Sequence, residues 1–286
     1  MSAVPGGSEV PAAARALARA GLVDAFGHVS ARGEGGVALI TPALPMSEMR
    51  SEAQLVELPL GELDELPAGA PKEAWIHWAI YRARPDVGAI VRGQPPSPLA
   101  VAALADELPA LLGQGAIAGA PVPVYPDSRL VREPGRAVEL AAALGEADAL
   151  IMRGNGALAT ASTPGRALAR IVLLERSADV YLRAAAAGEP RPLSTEEAAA
   201  WQAAGEELLE RLWQHLRATS RAGPIEFVQR GRTNSTGSSP GRGGASGRCR
   251  PSSRQRLRSP RRSRAGPRCR RAARCRGRAR RRRRGR

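Results

Sequence analysis

Glu73-Ala74-Trp75-Ile76-His77-Trp78-Ala79-Ile80-Tyr81-Arg82-Ala83-Arg84-Pro85-Asp86-Val87-Gly88-Ala89-Ile90-Val91 sets a helical pattern directly against a strand pattern, with one proline between them. Trp75, Ile76, Ala79 and Ile80 recur at the spacing of one helix face until Pro85 ends the run. Pro71 stands where a first helical turn tolerates proline, which puts Glu73 in that first turn. The apolar run Val87 to Val91 is too short for a helix and is predicted to be a buried strand. It leads into the loop Arg92-Gly93-Gln94-Pro95-Pro96 before another helix near Leu99.

The same alternation continues in both directions. Upstream, an apolar helix over Val10 to Ala20 stops at Gly21. Extended segments His28 to Arg32 and Val37 to Thr41 flank Gly33-Glu34-Gly35-Gly36, the pattern of a β-hairpin. Downstream come a strand at Pro121 to Tyr125, a helix over Arg136 to Leu144 and a strand at Ala149 to Met152. A tight Arg153-Gly154-Asn155-Gly156 turn, a strand at Ala157 to Thr160 and a long helix from about Pro164 to Ala187 follow. A last helix is expected over Thr195 to Leu216, with Trp201, Leu208, Leu209, Leu212 and Trp213 on its apolar side. The class is α/β, one domain, with a central, mostly antiparallel sheet. Gly113-Gln114-Gly115 lacks the context and third glycine of a dinucleotide fingerprint.

Charge divides the chain in two. From Gln229 onward there are 23 Arg and no Lys, Asp or Glu, so of the formal charge of +16 this segment carries +23 and residues 1–228 carry −7. The basic balance therefore says nothing about the domain, expected over residues 1–223. After Val228 the only large aliphatic residue is Leu257 and there is no aromatic, so residues 224–286 are expected to be a disordered Arg-rich tail. Runs such as Arg280 to Arg284 suit nucleic acid or other polyanions, but compositional drift of a GC-rich coding sequence, or a shifted reading frame at its 3′ end, is the favoured reading. Cys249, Cys269 and Cys275 all lie in the tail, at spacings of neither a zinc ribbon nor a disulfide framework. With no secretory leader pattern and no apolar run of membrane-spanning length, a cytoplasmic location without membrane contact is the expectation.

Gly27-His28-Val29-Ser30-Ala31-Arg32, Ile40-Thr41-Pro42, Glu73 with His77 and Tyr81, Arg84 to Val91, Arg153-Gly154-Asn155-Gly156 and Leu174-Glu175-Arg176 follow one another in a specific order. In that order and spacing, over about residues 8–220, the chain resembles the class II aldolase/adducin family, fuculose-phosphate-aldolase-like domains in particular. The resemblance implies a three-layer αβα domain with a central antiparallel sheet, a homotetramer with sites between subunits, and a small-molecule substrate. It also implies a divalent metal on three histidines, but those positions here are Arg92, Gln94 and Asn155. Amides are poor substitutes for imidazole and a fixed guanidinium repels a cation, so no metal and no other cofactor is expected.

Glu73 stands where the resemblance places an acid/base glutamate. The serines usual before that glutamate are Pro71 and Lys72, and the Ser-Gly segment usual after Thr-Pro reads Ala43-Leu44-Pro45, which points away from a sugar phosphate. The expected function is a divergent, metal-independent lyase or isomerase that stabilises the enolate of a small hydroxy or keto acid or carbonyl compound. In that reading Arg92 binds a carboxylate or enolate, Glu73 moves the proton and His28 is a second acid/base group. Gln94, Asn155, Ser30 and Lys72 then contact substrate. Two alternatives stand beside it: a catalytically silent, adducin-like interaction domain, and a metal enzyme using Glu73, His77 or His28 instead of the missing imidazoles. The plainer readings are a packed helix residue for His77, a surface ion pair for Lys72 and a solvated helix face for His215.

Overall fold

A computed structural model describes residues 7–219; the expected boundary at residue 223 and the Arg-rich tail lie outside the described residues. In chain order the elements are α1 (Val10–Arg19), β1 (His28–Arg32), β2 (Val37–Ile40), β3 (Val56–Pro59), α2 (Ala74–Ala83), β4 (Ala89–Gly93), α3 (Pro96–Val101), β5 (Glu107–Leu108) and α4 (Gly113–Ile117). Then follow β6 (Val122–Tyr125), α5 (Pro134–Leu144), β7 (Ala149–Met152), β8 (Gly156–Ala161), α6 (Pro164–Ala187), α7 (Thr195–Ala203) and α8 (Gly205–Thr219).

The strands form one eight-stranded sheet in the order β3-β2-β1-β4-β8-β7-β6-β5. Every pairing is antiparallel except β6 with β7, so the expected α/β class with a mostly antiparallel sheet holds. Strand parity sorts the two faces. Val29, Ala31, Ala89, Val91, Ala157 and Ala159 pack under α1 and α6, in a core that Leu17, Leu168, Ile171 and Val172 complete. Ile90, Leu150 and Leu158 point to the other face, against Ile76 and Ile80 of α2 and Leu140 of α5. This makes three layers. Residues of the same parity, His28 and Ser30 on β1 and Arg92 on β4, therefore face α2; His28 is the direct register partner of Arg92.

Two differences from the sequence reading change where side chains lie. The strand expected at Val87 to Val91 is shifted to Ala89–Gly93, so Arg92 is a strand residue and not a loop residue. Gly88 is drawn against the end of β8, its N–H donating to the Ala161 carbonyl, and a side chain there would collide with the Ser162 backbone. The single helix expected over Thr195 to Leu216 is two, α7 and α8, meeting at Ala204. The break lets Trp201 lie on Gly113 while Trp213 lies on Gly165, two glycines where a Cβ would strike each indole. Trp201 is consequently 46% exposed and not part of the buried stripe that Leu209, Trp213 and Leu216 form.

Arg32, in the Gly27 to Arg32 segment, has a structural task. Its guanidinium donates to the Tyr81, Arg84 and Val87 carbonyls, neutralising the C-terminal end of α2 and fixing that helix on the sheet. Among the described residues no helix is long and apolar enough to cross a membrane.

Candidate active site

Glu73 directly precedes α2, in a turn closed by the Ala74 N–H on the Pro71 carbonyl at 2.8 Å. His77 and Tyr81 follow at intervals of four, so all three project from one helix face onto β1 and β4. The Glu73 carboxylate, in a residue 8% exposed, accepts a hydrogen bond from Asn155 Nδ2 at 2.9 Å and lies 3.4 Å from the Arg92 guanidinium. Arg92 is 1% exposed and donates to the Phe26 carbonyl at 2.6 Å and to both the carbonyl and Oδ1 of Asn155 at 2.7 Å. Glu73, Arg92 and Asn155 thus form a closed triangle that also pins the Phe26 loop and the turn before β8.

That turn is possible because Gly156 adopts φ +105°, with its Cα so close to the Gly93 carbonyl that any Cβ would collide with it. Next to the triangle, Ser30 Oγ shares hydrogen bonds with His77 Nδ1 at 2.7 Å and Tyr81 Oη at 2.8 Å, all buried. The His28 and His77 rings meet edge to face at 5.7 Å. Burial first, and the nearby Arg92 charge second, push the His77 imidazole down to about 3 and the His28 imidazole well below its ordinary value. Both rings are neutral at physiological pH. His28 Nδ1, His77 Nε2 and Arg92 Nε are buried with no hydrogen-bond partner among the described residues.

A cleft of about 270 Å³ opens above the triangle, with Phe26, His28, Leu44, Lys72, Glu73 and Arg132 among its lining residues. The residues expected to act together are therefore only partly gathered. Glu73, His28 and Lys72 line the cleft, whereas Arg92 and Asn155 lie beneath it. The expectation that Arg92 binds a substrate carboxylate needs correcting: its terminal nitrogens are spent on Phe26, Asn155 and Glu73, since the charge of so deeply buried a guanidinium requires a partner within the protein. Asn155 is likewise engaged at both ends of its amide, by Arg92 and Glu73. Ser30 is fully buried between His77 and Tyr81, and Gln94 is half-buried outside the triangle, its backbone N–H on the Leu22 carbonyl at 2.7 Å. His77, read as a packed residue, is packed but also polar-bonded. Arg132 carries no signal in sequence: it is an exposed arginine in a charged loop, with no periodicity to mark it.

The donor set does not fit the divalent metal that the fold implies. Where three imidazoles would be needed, the positions hold a guanidinium and two amides, one of them bonded to that guanidinium. Among the described residues no three His, Cys, Asp or Glu side chains gather as a metal site, so Glu73, His77 and His28 do not make one either.

Comparison with known proteins agrees with this architecture. Two bacterial proteins named 3,4-dihydroxyphthalate decarboxylase are similar to the chain. The Arthrobacter keyseri protein is 30% identical over 192 residues, covering 62% of this chain and 77% of its own. The protein of Terrabacter sp. (strain DBF63) is 30% identical over 221 residues, covering 71% and 92%. Among solved structures, L-fuculose 1-phosphate aldolase from Glaciozyma antarctica PI12 superposes with a TM-score of 0.63 at 22% identity, covering 77% of this chain and 91% of that one. L-fuculose-1-phosphate aldolase from Thermus thermophilus gives 0.57 at 27% identity, covering 64% and 96%. The sequence profile of the Class II Aldolase and Adducin N-terminal domain matches residues 8–182, and the chain belongs to that family.

Proposed function

We propose that this protein is a carbon–carbon lyase of the decarboxylase kind. Its substrate is a small, non-phosphorylated carboxylate bearing a hydroxyl or carbonyl group next to the carbon that loses CO2. The observation that carries this reading is the Glu73 carboxylate, fixed by Asn155 and Arg92 at the floor of a cleft that also holds Lys72 and His28. The names of the two decarboxylase relatives support it.

In this mechanism Lys72 pairs with the substrate carboxylate and Glu73 takes the proton of the neighbouring hydroxyl. The same carboxyl delivers that proton to the carbon as the C–C bond breaks, CO2 leaving without the electron pair. Neutral His28 donates a hydrogen bond to the enolate oxygen. Arg92 touches no substrate; it holds Glu73 in place and balances its charge without a metal.

The test is CO2 release from a panel of hydroxylated aromatic and keto carboxylates, with full-length protein dialysed against a chelator. Release is expected from at least one compound, to survive chelation, and to fall by roughly 100-fold or more in Glu73→Gln. Activity that a chelator abolishes and a divalent cation restores overturns the metal-independent part. No CO2 from any compound leaves the triangle as packing alone, which is the silent interaction domain.

A further inference from the structure

Arg132 lies on the segment between β6 and α5, where ion pairing is otherwise complete. Asp127 is taken by Arg129 at 2.6 Å and Glu133 by Arg136 at 2.8 Å. Arg136 also lies 3.6 Å from Asp127. No carboxylate of the described residues lies within 4.0 Å of Arg132 or of Lys72, yet both line the same cleft. Glu73, the carboxylate among the lining residues, is offset by Arg92, and His28 contributes no charge. The cleft therefore holds two uncompensated cations, in a part of the chain, residues 1–228, that carries −7 and has acidic residues to spare. Both residues are exposed, and two like charges left unpaired on one recess set up a field that favours an anionic ligand. The rest of the rim is apolar: Phe26 is 66% exposed, Leu44 is exposed as well, and the Phe26 backbone is held by Arg92.

We propose that Arg132 and Lys72 form a two-cation recognition site for a dicarboxylate, one carboxylate on each, with Phe26 and Leu44 walling the carbon skeleton between them. This deepens the decarboxylase reading and rests on it in one respect: the carboxylate on Lys72, adjoining Glu73 in sequence, is the one that leaves, and Arg132 holds the one that stays. Arg132 is then a specificity-determining residue. Its guanidinium offers the paired donors that suit a carboxylate, which distinguishes it from Lys72, a point charge.

Calorimetric titration of the full-length protein with phthalate, benzoate and phosphoglycolate tests the proposal without requiring turnover. Phthalate is expected to bind about tenfold more tightly than benzoate, the equivalent of about 1.4 kcal/mol for the second carboxylate. Arg132→Ala should erase that margin and leave benzoate within about twofold, Arg132→Lys should restore part of it, and circular dichroism should show all three proteins folded. Phthalate no tighter than benzoate, or a margin that survives Arg132→Ala, overturns the proposal. So does phosphoglycolate bound as tightly as phthalate through Arg132, which makes the site one for phosphate. A protein that shows the margin but releases no CO2 keeps the dicarboxylate site and loses the decarboxylase reading; one that releases CO2 with no margin does the reverse.

Discussion

Replacing Arg92 with methionine removes a buried cation while keeping most of the side-chain volume, and the structure fixes what that must cost. Three acceptors lose their donor at once, the carbonyls of Phe26 and Asn155 and the Asn155 Oδ1, and the Glu73 carboxylate loses the charge 3.4 Å away. Breaking a buried ion pair from one side costs about 3–5 kcal/mol, since the surviving charge is left uncompensated. Arg92→Met should therefore lose about that much stability in urea, followed by the fluorescence of the buried Trp75, Trp78 and Trp213. Combining it with Glu73→Gln removes the stranded charge, so the double variant should be more stable than the sum of the single losses by about 1–3 kcal/mol. A guanidinium reaching into the cleft to bind substrate predicts the opposite pattern: near-wild-type stability and lost anion binding. An Arg92→Met protein within about 1 kcal/mol of wild type, or strict additivity with Glu73→Gln, refutes the internal role derived for this residue.

Acid should unfold the protein early. His28 and His77 are held neutral in the fold, with depressed pKa values, while the unfolded chain takes up their protons near pH 6.5. Stability is thus intact above about pH 6.5 and falls as pH drops, by about 1.4 kcal/mol per unit per histidine, until His77 itself protonates at about 3. A urea midpoint flat between pH 7 and 4.5 contradicts this. Gly156→Ala should destabilise by more than about 2 kcal/mol, combining a positive φ with a collision against the Gly93 carbonyl. Because Asn155 is its neighbour, proton exchange of the Asn155 side-chain amide, seen by NMR, should quicken as its bond to Glu73 loosens; unchanged exchange separates backbone strain from the site.

The fold is legible in the sequence because its elements are short and strongly patterned. The parity of His28 and Ser30, and the four-residue spacing of Glu73, His77 and Tyr81, stand in the linear pattern and together define one wall of the site. Which polar groups satisfy one another does not. The pattern assigns Arg92 to a loop, free to meet substrate, because nothing in it shows that Asn155, sixty-three positions later, turns its amide to that guanidinium. β3 carries too little alternation to stand out: it is an edge strand with exposed Glu57 and Pro59, which solvates its outer side. The break between α7 and α8 is hidden for a related reason. It goes with the fit of two tryptophans on two distant glycines, and no proline stands between Thr195 and Leu216 to mark it.

The side chains at the three expected histidine positions limit what the site can offer to a reaction. A bound cation keeps open coordination positions and shares its charge directly with a substrate oxygen. Arg92 has committed its terminal donors to protein acceptors, and its charge is already shared with Glu73. Strong electrophilic assistance would have to come from the rim, where Lys72 and Arg132 sit in higher dielectric and act more weakly. Chemistry suited to that balance is one in which the departing group leaves neutral and the carbanion is delocalised by the substrate's own ring or carbonyl. Loss of CO2 from a hydroxylated carboxylate meets both conditions, whereas cleavage of an aldol phosphate leaves an enediolate whose charge is borne on two vicinal oxygens that a neighbouring cation stabilises. Under the proposed function, Arg92 and Asn155 beneath the cleft and Pro71 and Lys72 on its lining serve one non-phosphorylated substrate.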